Sequence, residues 1–141
     1  MFSVPENLTF TEGACASMYM NCVNLIGRVE YDFSNNGLGP NCFMNMFRNC
    51  TSLTTAPDLL ASTLEEQCYY YMFDGCTSLN YIKMTAKSIN SQNSTPATYS
   101  LTNWVRNVAP TGTFYKFESM NSLIVGDSGI PTGWTSVDVS G

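Results

Sequence analysis

The chain has 141 residues, of which 44% are hydrophobic and 12% are charged. This length and apolar content fit one domain with a buried core, and the low charge leaves Asn, Ser and Thr to supply much of the polar surface. The formal net charge is −5, and no basic cluster occurs along the chain. Nucleic acid is therefore not expected as a partner, because phosphate binding draws on clustered Lys and Arg. No stretch reaches the roughly 18 apolar residues that a membrane span requires, so no membrane insertion is expected.

The main sequence signal is an internal repeat of roughly 26 residues, with copies at Met18–Leu25, Met46–Leu53 and Met72–Leu79. Each copy extends backwards in steps of four through apolar or thiol side chains. Residues spaced by four lie near one face of an α-helix, so each repeat is predicted to contain an amphipathic helix that turns this face to the core. The residues of the predicted core stripe are Phe10, Ala14, Met18 and Cys22 in the first copy, Leu38, Cys42, Met46 and Cys50 in the second, and Leu64, Cys68, Met72 and Cys76 in the third.

Short extended segments follow the predicted helices, at Leu53–Pro57 and Leu79–Lys83. Pro57 cannot donate to a strand ladder, which keeps the first of these segments short. The third helix is predicted to begin at a capping box, formed by Ser62 with Glu65 or by Thr63 with Glu66. One repeat is thus a short strand, a turn and a helix. Since a single unit cannot cover its own apolar face, the predicted fold class is an α/β repeat, a short solenoid of the leucine-rich-repeat type.

The C-terminal residues 90–141 do not follow the pattern of the repeats. An amphipathic helix is predicted from Tyr99 to Val108, and strands are predicted over Thr113–Phe117 and Trp134–Val139. These elements indicate an α+β cap on the solenoid. Trp104 and Trp134 are expected to cover the exposed end of the last repeat rather than to contact a ligand, because aromatic side chains bury large areas.

The repeat motif carries a family resemblance. The string Met-Phe-x-x-Cys-Thr-Ser-Leu-Thr-Thr-Ala-Pro at Met46–Pro57, half repeated at Met72–Leu79, resembles the BspA-type leucine-rich repeats of Bacteroidales surface proteins. The tail is similar to the endings of Bacteroides and phage-fibre proteins that carry such repeats. The segments that match these endings are Asn103–Val105, Gly112–Phe114 and Gly129–Thr135.

The resemblance implies a non-enzymatic recognition module for adhesion or receptor binding. It would be displayed outside the cell, on a bacterial surface or at the tip of a phage fibre, with a protein or glycan on a cell surface as its partner. The alternative is a structural or assembly protein of a virion or surface fibre, which would form a homo-oligomer. In either case residues 1–89 are expected to hold about three repeats, the first truncated, and residues 90–141 to form the cap.

Six cysteines raise the question of metal sites and disulfides. The chain has no histidine and no Cys-x-x-Cys pair, so a zinc site with the usual ligand spacing is not expected. Disulfides could join equivalent positions of neighbouring repeats, such as Cys50 with Cys76 or Cys42 with Cys68. Free core thiols are the favoured interpretation, because Cys is a small and readily buried residue.

The sequence does not favour an enzyme, and no cofactor is predicted. Without histidine there is no base to activate a cysteine or serine nucleophile. A carboxylate pair is the remaining enzymatic alternative, but no two carboxylates recur at a spacing that would place them across one cleft. The carboxylates considered are Asp58, Glu65, Glu66, Asp74, Asp127 and Asp138.

Candidate ligand-binding residues lie at the outward positions of the predicted helices. Tyr70 and Tyr71 occupy places equivalent to Met44 and Asn45 in the preceding repeat. Exposed tyrosines can stack on sugar rings or anchor a protein interface. These four residues are the predicted binding site, and packing against an adjoining loop or another copy of the chain is the alternative.

Overall fold

The computed structural model describes residues 2–3, 15–28, 31–32, 41–89 and 100–140. These residues form short parallel strands joined by long runs of turns. Of the predicted core stripe, Phe10, Ala14 and Leu38 lie outside the described residues, as does Tyr99 at the start of the predicted C-terminal helix.

The strands form one larger sheet and two small ones, and every pairing is parallel. The larger sheet has the order β2-β4-β6-β8-β9, and the small sheets pair β1 with β3 and β5 with β7. Strand order in the larger sheet follows chain order, so the chain returns to the same side after each connection and adds one strand per coil. The strands are β1 (Phe2–Ser3), β2 (Gly27–Arg28), β3 (Tyr31–Asp32), β4 (Leu53–Thr55), β5 (Thr63–Leu64), β6 (Tyr81–Met84), β7 (Ser88–Ile89), β8 (Thr113–Phe117) and β9 (Thr135–Val139).

Opposite the larger sheet's strands, each coil runs through consecutive β-turns. We call residues 15–22, 41–50, 65–76 and 101–107 the turn segments. Within a segment, every second backbone N–H group donates to the carbonyl three residues earlier, as Met46 does to Phe43 at 3.2 Å. Alternate N–H groups donate to the next coil instead, as Phe47 does to Met72 at 2.9 Å. The turn segments therefore form a hydrogen-bonded ladder that holds the coils side by side.

The predicted helices over these segments are wrong, because the four turn segments are not α-helical. Every fourth residue has a positive φ, for example 57° at Asn45 and 62° at Asn49, which a right-handed helix does not allow. A residue in this left-handed conformation once in every four makes the backbone repeat after four residues. The apolar spacing of four reflects this repeat of turns and not a helix of 3.6 residues per turn.

The expected start of the third helix is also wrong. Thr63, predicted as a helix cap, lies in strand β5 and pairs in register with Ser88 of β7. Strands β4 and β6 do lie where extended segments were predicted after the repeat motif. The fold is therefore an all-parallel stack of strands and turns, not an α/β solenoid with helices.

The predicted α+β cap is wrong for the same reason. Residues 101–107 form a fourth turn segment, and strands β8 and β9 extend the parallel sheet. Phe73 donates its N–H to the carbonyl of Trp104 at 2.8 Å, so this segment stacks on the third one. Trp104 is fully buried and Trp134 is 8% exposed. Both indole N–H groups are satisfied, with Trp104 donating to the carbonyl of Gly129 and Trp134 to that of Ala109.

Aromatic rings and thiols fill the space between the sheet and the turn segments. Phe47 stacks between Tyr19 and Phe73, with ring centroids 5.4 and 5.6 Å apart and interplanar angles of 9° and 7°. The six cysteines carry free thiols. Cys50 donates its S–H to the carbonyl of Tyr19 at 3.0 Å, and Cys76 donates to that of Phe47 at 2.9 Å. These two thiols thus bind the coil before them through hydrogen bonds.

The first described coil departs from the predicted core. Met46 and Met72 are fully buried, but Met18 is 50% exposed and Cys22 is also exposed. The predicted inward stripe is therefore wrong at these two positions.

Candidate binding surface on the turn segments

The four predicted ligand-binding residues come together on neighbouring turn segments. Asn45 donates its backbone N–H to the carbonyl of Tyr70 at 2.8 Å, which places the pair Met44 and Asn45 beside the pair Tyr70 and Tyr71. All four residues are half-buried. Their contact with a ligand stays a prediction.

Tyr71 occupies the centre of this surface in an unfavourable backbone conformation. Its φ is 52°, at a position where the coils on either side place Asn45 and Asn103. A tyrosine in this region costs about 1–2 kcal/mol, whereas Asn is better tolerated there. Asn103 donates from its side-chain nitrogen to the Tyr71 hydroxyl at 3.0 Å, and the ring of Tyr70 lies 4.4 Å from that of Tyr71. The structure therefore holds Tyr71 in place from two sides.

Two arginines share one carboxylate next to Tyr71. Arg106 donates from Nε to Asp74 Oδ1 at 3.0 Å and from Nη2 to Oδ2 at 2.9 Å, while Arg48 donates from Nε to Oδ2 at 3.1 Å. The two guanidinium carbons lie 4.7 and 5.2 Å from the Tyr71 ring centroid. Asp74 is only 3% exposed, because these side chains cover it. We call Arg48, Tyr70, Tyr71, Asp74, Asn103 and Arg106 the arginine–tyrosine cluster.

The cluster has unused donors and an excess of positive charge. Among the described residues, Nη1 and Nη2 of Arg48 and Nη1 of Arg106 have no hydrogen-bond partner. Two guanidinium groups against the Asp74 carboxylate give the six cluster residues a formal charge of +1, and Asp127 is a second carboxylate close enough to Arg106 to raise its pKa. Hydrogen bonds from Arg106 to Asp74 raise the pKa of that guanidinium still further, so it stays charged. Burial, and then the neighbouring Tyr71, raises the pKa of the Tyr70 hydroxyl, which stays neutral.

Sequence reasoning found the tyrosines of the cluster but missed its arginines. Arg48 follows Met46 by two residues, and Asp74 follows Met72 by two residues. The repeat alignment therefore placed these two charges at equivalent positions. Arg106 was missed because the fourth repeat was taken for a cap. The signal was present, since Asn103-Trp104-Val105-Arg106-Asn107 matches Asn45-Met46-Phe47-Arg48-Asn49.

Two of the thiols and two of the carboxylates considered from the sequence are buried or ion-paired. Burial raises the pKa of the Cys50 thiol to about 11 and that of Cys68 well above its usual value, so both stay protonated and poorly nucleophilic at neutral pH. Asp58 pairs with Arg28 at 3.0 Å, and Asp138 pairs with Lys116 at 2.6 Å. Within the described ranges, no three His, Cys, Asp or Glu side chains come together as a possible metal site.

Comparisons with family models, with curated proteins and with solved structures found no match to this chain. The BspA-type resemblance therefore stays a prediction from the motifs. In the part of the chain that the structure describes, no helix has the length and apolar character needed to cross a membrane.

Proposed function

We propose that this chain is a non-enzymatic recognition module that binds a protein or glycan on a cell surface, displayed on a bacterial surface or at a phage fibre tip. The observation that carries the proposal is the arginine–tyrosine cluster. It combines two half-buried tyrosine rings with guanidinium N–H groups that no described residue uses. Tyr and Arg are the residue types enriched at binding hot spots, where they pair apolar area with directed hydrogen bonds.

The rigidity of the cluster supports this role. Its residues come from three neighbouring turn segments, and the backbone ladder fixes the spacing between those segments. Asp74 holds both arginines through charge-assisted hydrogen bonds, which are about twice as strong as neutral ones. A surface that is ordered before binding loses little side-chain entropy when the ligand arrives. The ligand expected from this chemistry carries an acidic group for the guanidinium donors and a flat or apolar face for Tyr70.

A binding experiment tests the proposal. The isolated chain is screened on glycan arrays and on cell-surface protein preparations, and each hit is remeasured with Tyr70→Ala. We expect this variant to weaken binding by about tenfold or more, the loss of one hot-spot aromatic. The matched control is Tyr115→Ala, a half-buried tyrosine on strand β8, which we expect to bind like the wild type. No hit in either screen, or equal loss in both variants, would contradict the proposal.

A structural or assembly role is the second candidate, and exposed apolar side chains favour it. Ile26 is 78% exposed and Val23 is 49% exposed in the first described coil, and Val125 is 68% exposed near the last strand. Apolar side chains so placed can pack against another copy of the chain. Light scattering distinguishes the two roles, because assembly requires a stable oligomer. Under this candidate, Ile26→Ser would shift that oligomer toward monomer, whereas a monomeric wild type would leave recognition as the better proposal.

A further inference from the structure

The basic residues of this chain divide into two groups. The chain has six Lys and Arg residues, and all of them lie in the described ranges. Four are ion-paired, namely Arg28 with Asp58, Arg48 and Arg106 with Asp74, and Lys116 with Asp138. Lys83 and Lys87 have no ion pair with any described residue. These two lysines are therefore the basic residues without a described carboxylate partner.

Both unpaired lysines line the same cavity. It has a volume of about 320 Å³ and lies where the parallel strands β6, β8 and β9 end. Its lining also includes the hydroxyl-bearing residues Ser62, Thr85 and Ser140, with Phe117 as the aromatic part, and no carboxylate residue is among the described residues that line it. The volume falls at the lower end of the range of small-molecule sites. We call this space the lysine cavity.

The two lysines are anchored rather than loosely placed. The backbone N–H of Lys87 donates to the carbonyl of Ser62 at 2.8 Å, and that of Leu59 donates to the carbonyl of Lys83 at 2.9 Å. The Lys87 ammonium lies 4.7 Å from the centroid of the Phe117 ring. A cation held over an aromatic face is positioned without being neutralised, so its N–H donors stay available to a ligand.

We propose that the lysine cavity binds a small ligand carrying an oxyanion group, a carboxylate, sulfate or phosphate on a molecule no larger than an acidic monosaccharide. The two ammonium groups supply charge-assisted hydrogen bonds to the oxyanion. The three hydroxyl groups can donate or accept, which suits the polar remainder of such a ligand. This site is separate from the arginine–tyrosine cluster and does not depend on the function proposed for it.

Titrations of the wild-type protein test the proposal. Backbone amide spectra are recorded while inorganic phosphate, D-glucuronate or D-glucose is added, with chloride holding the ionic strength constant because salt screens exposed charges. We expect at least one of the two anions to give saturable shifts centred on Lys83, Thr85, Lys87 and Phe117, and glucose to give none there. Shifts spread over all basic residues, absence of saturation with both anions, or equal binding of glucose would overturn the proposal.

Charge-removing variants then test whether the two lysines bind the anion. Lys83→Gln and Lys87→Gln should each weaken anion binding by about tenfold, the loss of one charge-assisted hydrogen bond. Arg28→Gln removes the same charge from strand β2, outside both proposed sites, and should leave anion affinity in the lysine cavity unchanged. Equal weakening by all three variants would show a general charge effect and refute the site. Because the lysine variants leave the arginine–tyrosine cluster unaltered, failure of either proposal can be recognised without the other.

Discussion

The first described coil and the two coils after it carry the same motif but differ in burial. Met46 and Met72 are fully buried, whereas the equivalent Met18 is 50% exposed. Cys50 is fully buried, whereas the equivalent Cys22 is exposed. The second and third turn segments have a hydrogen-bonded segment on each side. Burial of a repeat residue therefore depends on the coils that flank it, as expected for an architecture in which each unit contacts its neighbours.

Truncating the repeat methionine should give the largest difference in stability between the coils. Met72→Ala leaves a cavity among packed side chains and should lower the free energy of unfolding by about 2–5 kcal/mol. Met18→Ala removes a half-exposed side chain and should lower it by less than about 1 kcal/mol. Denaturant unfolding of both variants beside the wild type measures the two values. Equal losses at the two positions would mean that the first coil is as well covered as the third, which would contradict the exposed fractions of 50% at Met18 and 0% at Met72.

The sequence allowed the repeat and much of its buried pattern to be predicted. The spacing of four identified Cys42, Met46, Cys68, Met72 and Cys76 as core residues, and all five are fully buried. This prediction of the core residues was right because apolar side chains collect on the buried side of any repeating backbone, helical or not. The prediction failed at Met18, since exposure of a coil depends on what packs against it and the motif itself carries no such information.

The backbone conformation was predicted wrongly because two repeating structures fit the same apolar pattern. A spacing of four matches an α-helix only approximately, since each step of four drifts by about 40° around a helix of 3.6 residues per turn. Three such steps would move the stripe by about 120°. The decisive signal was Asn at every fourth position, at Asn41, Asn45 and Asn49, because Asn tolerates positive φ and is a poor helix former.

The candidate site was predictable in part. Outward positions on aligned repeats indicated Tyr70 and Tyr71, and the structure places both on the turn segments beside Arg48 and Arg106. The lysine cavity could not have been predicted. Lys83 and Ser62 are far apart in the chain, and their meeting depends on the register between the 59–62 segment and strand β6.

Two glycines give a second and smaller test of the contrast between coils. Gly75 and Gly27 have similar positive φ values of 79° and 76°. A side chain at Gly75 would collide with the Asn49 amide of the preceding coil, whereas nothing lies near Gly27. Gly75→Ala should therefore cost the left-handed penalty of about 1–2 kcal/mol plus the cost of displacing Asn49, and Gly27→Ala only the penalty.

Thermal unfolding of the two glycine variants provides the measurement. Combining Gly75→Ala with Asn49→Gly removes the colliding amide without placing a Cβ at the positive φ of residue 49. Measured against Asn49→Gly alone, Gly75→Ala should then lose only the left-handed penalty. If Gly75→Ala and Gly27→Ala lower the melting temperature equally, the ladder is not tightly packed at this position.

The smallest expected effect is a decline in stability at alkaline pH that comes from the buried thiols. Burial raises the pKa of Cys50 from 9.0 to about 11, so the folded chain keeps a proton that the unfolded chain releases. The stability that this proton contributes is fully present below about pH 9 and is lost as the pH rises toward 11. Cys50→Ser should make the decline in unfolding free energy across this window shallower, without abolishing it, because burial also raises the pKa values of Cys68 and Cys76. Denaturant unfolding at several pH values between 8 and 11 measures the slopes, and a wild type with no decline would show that its core thiols ionise as freely as thiols in water.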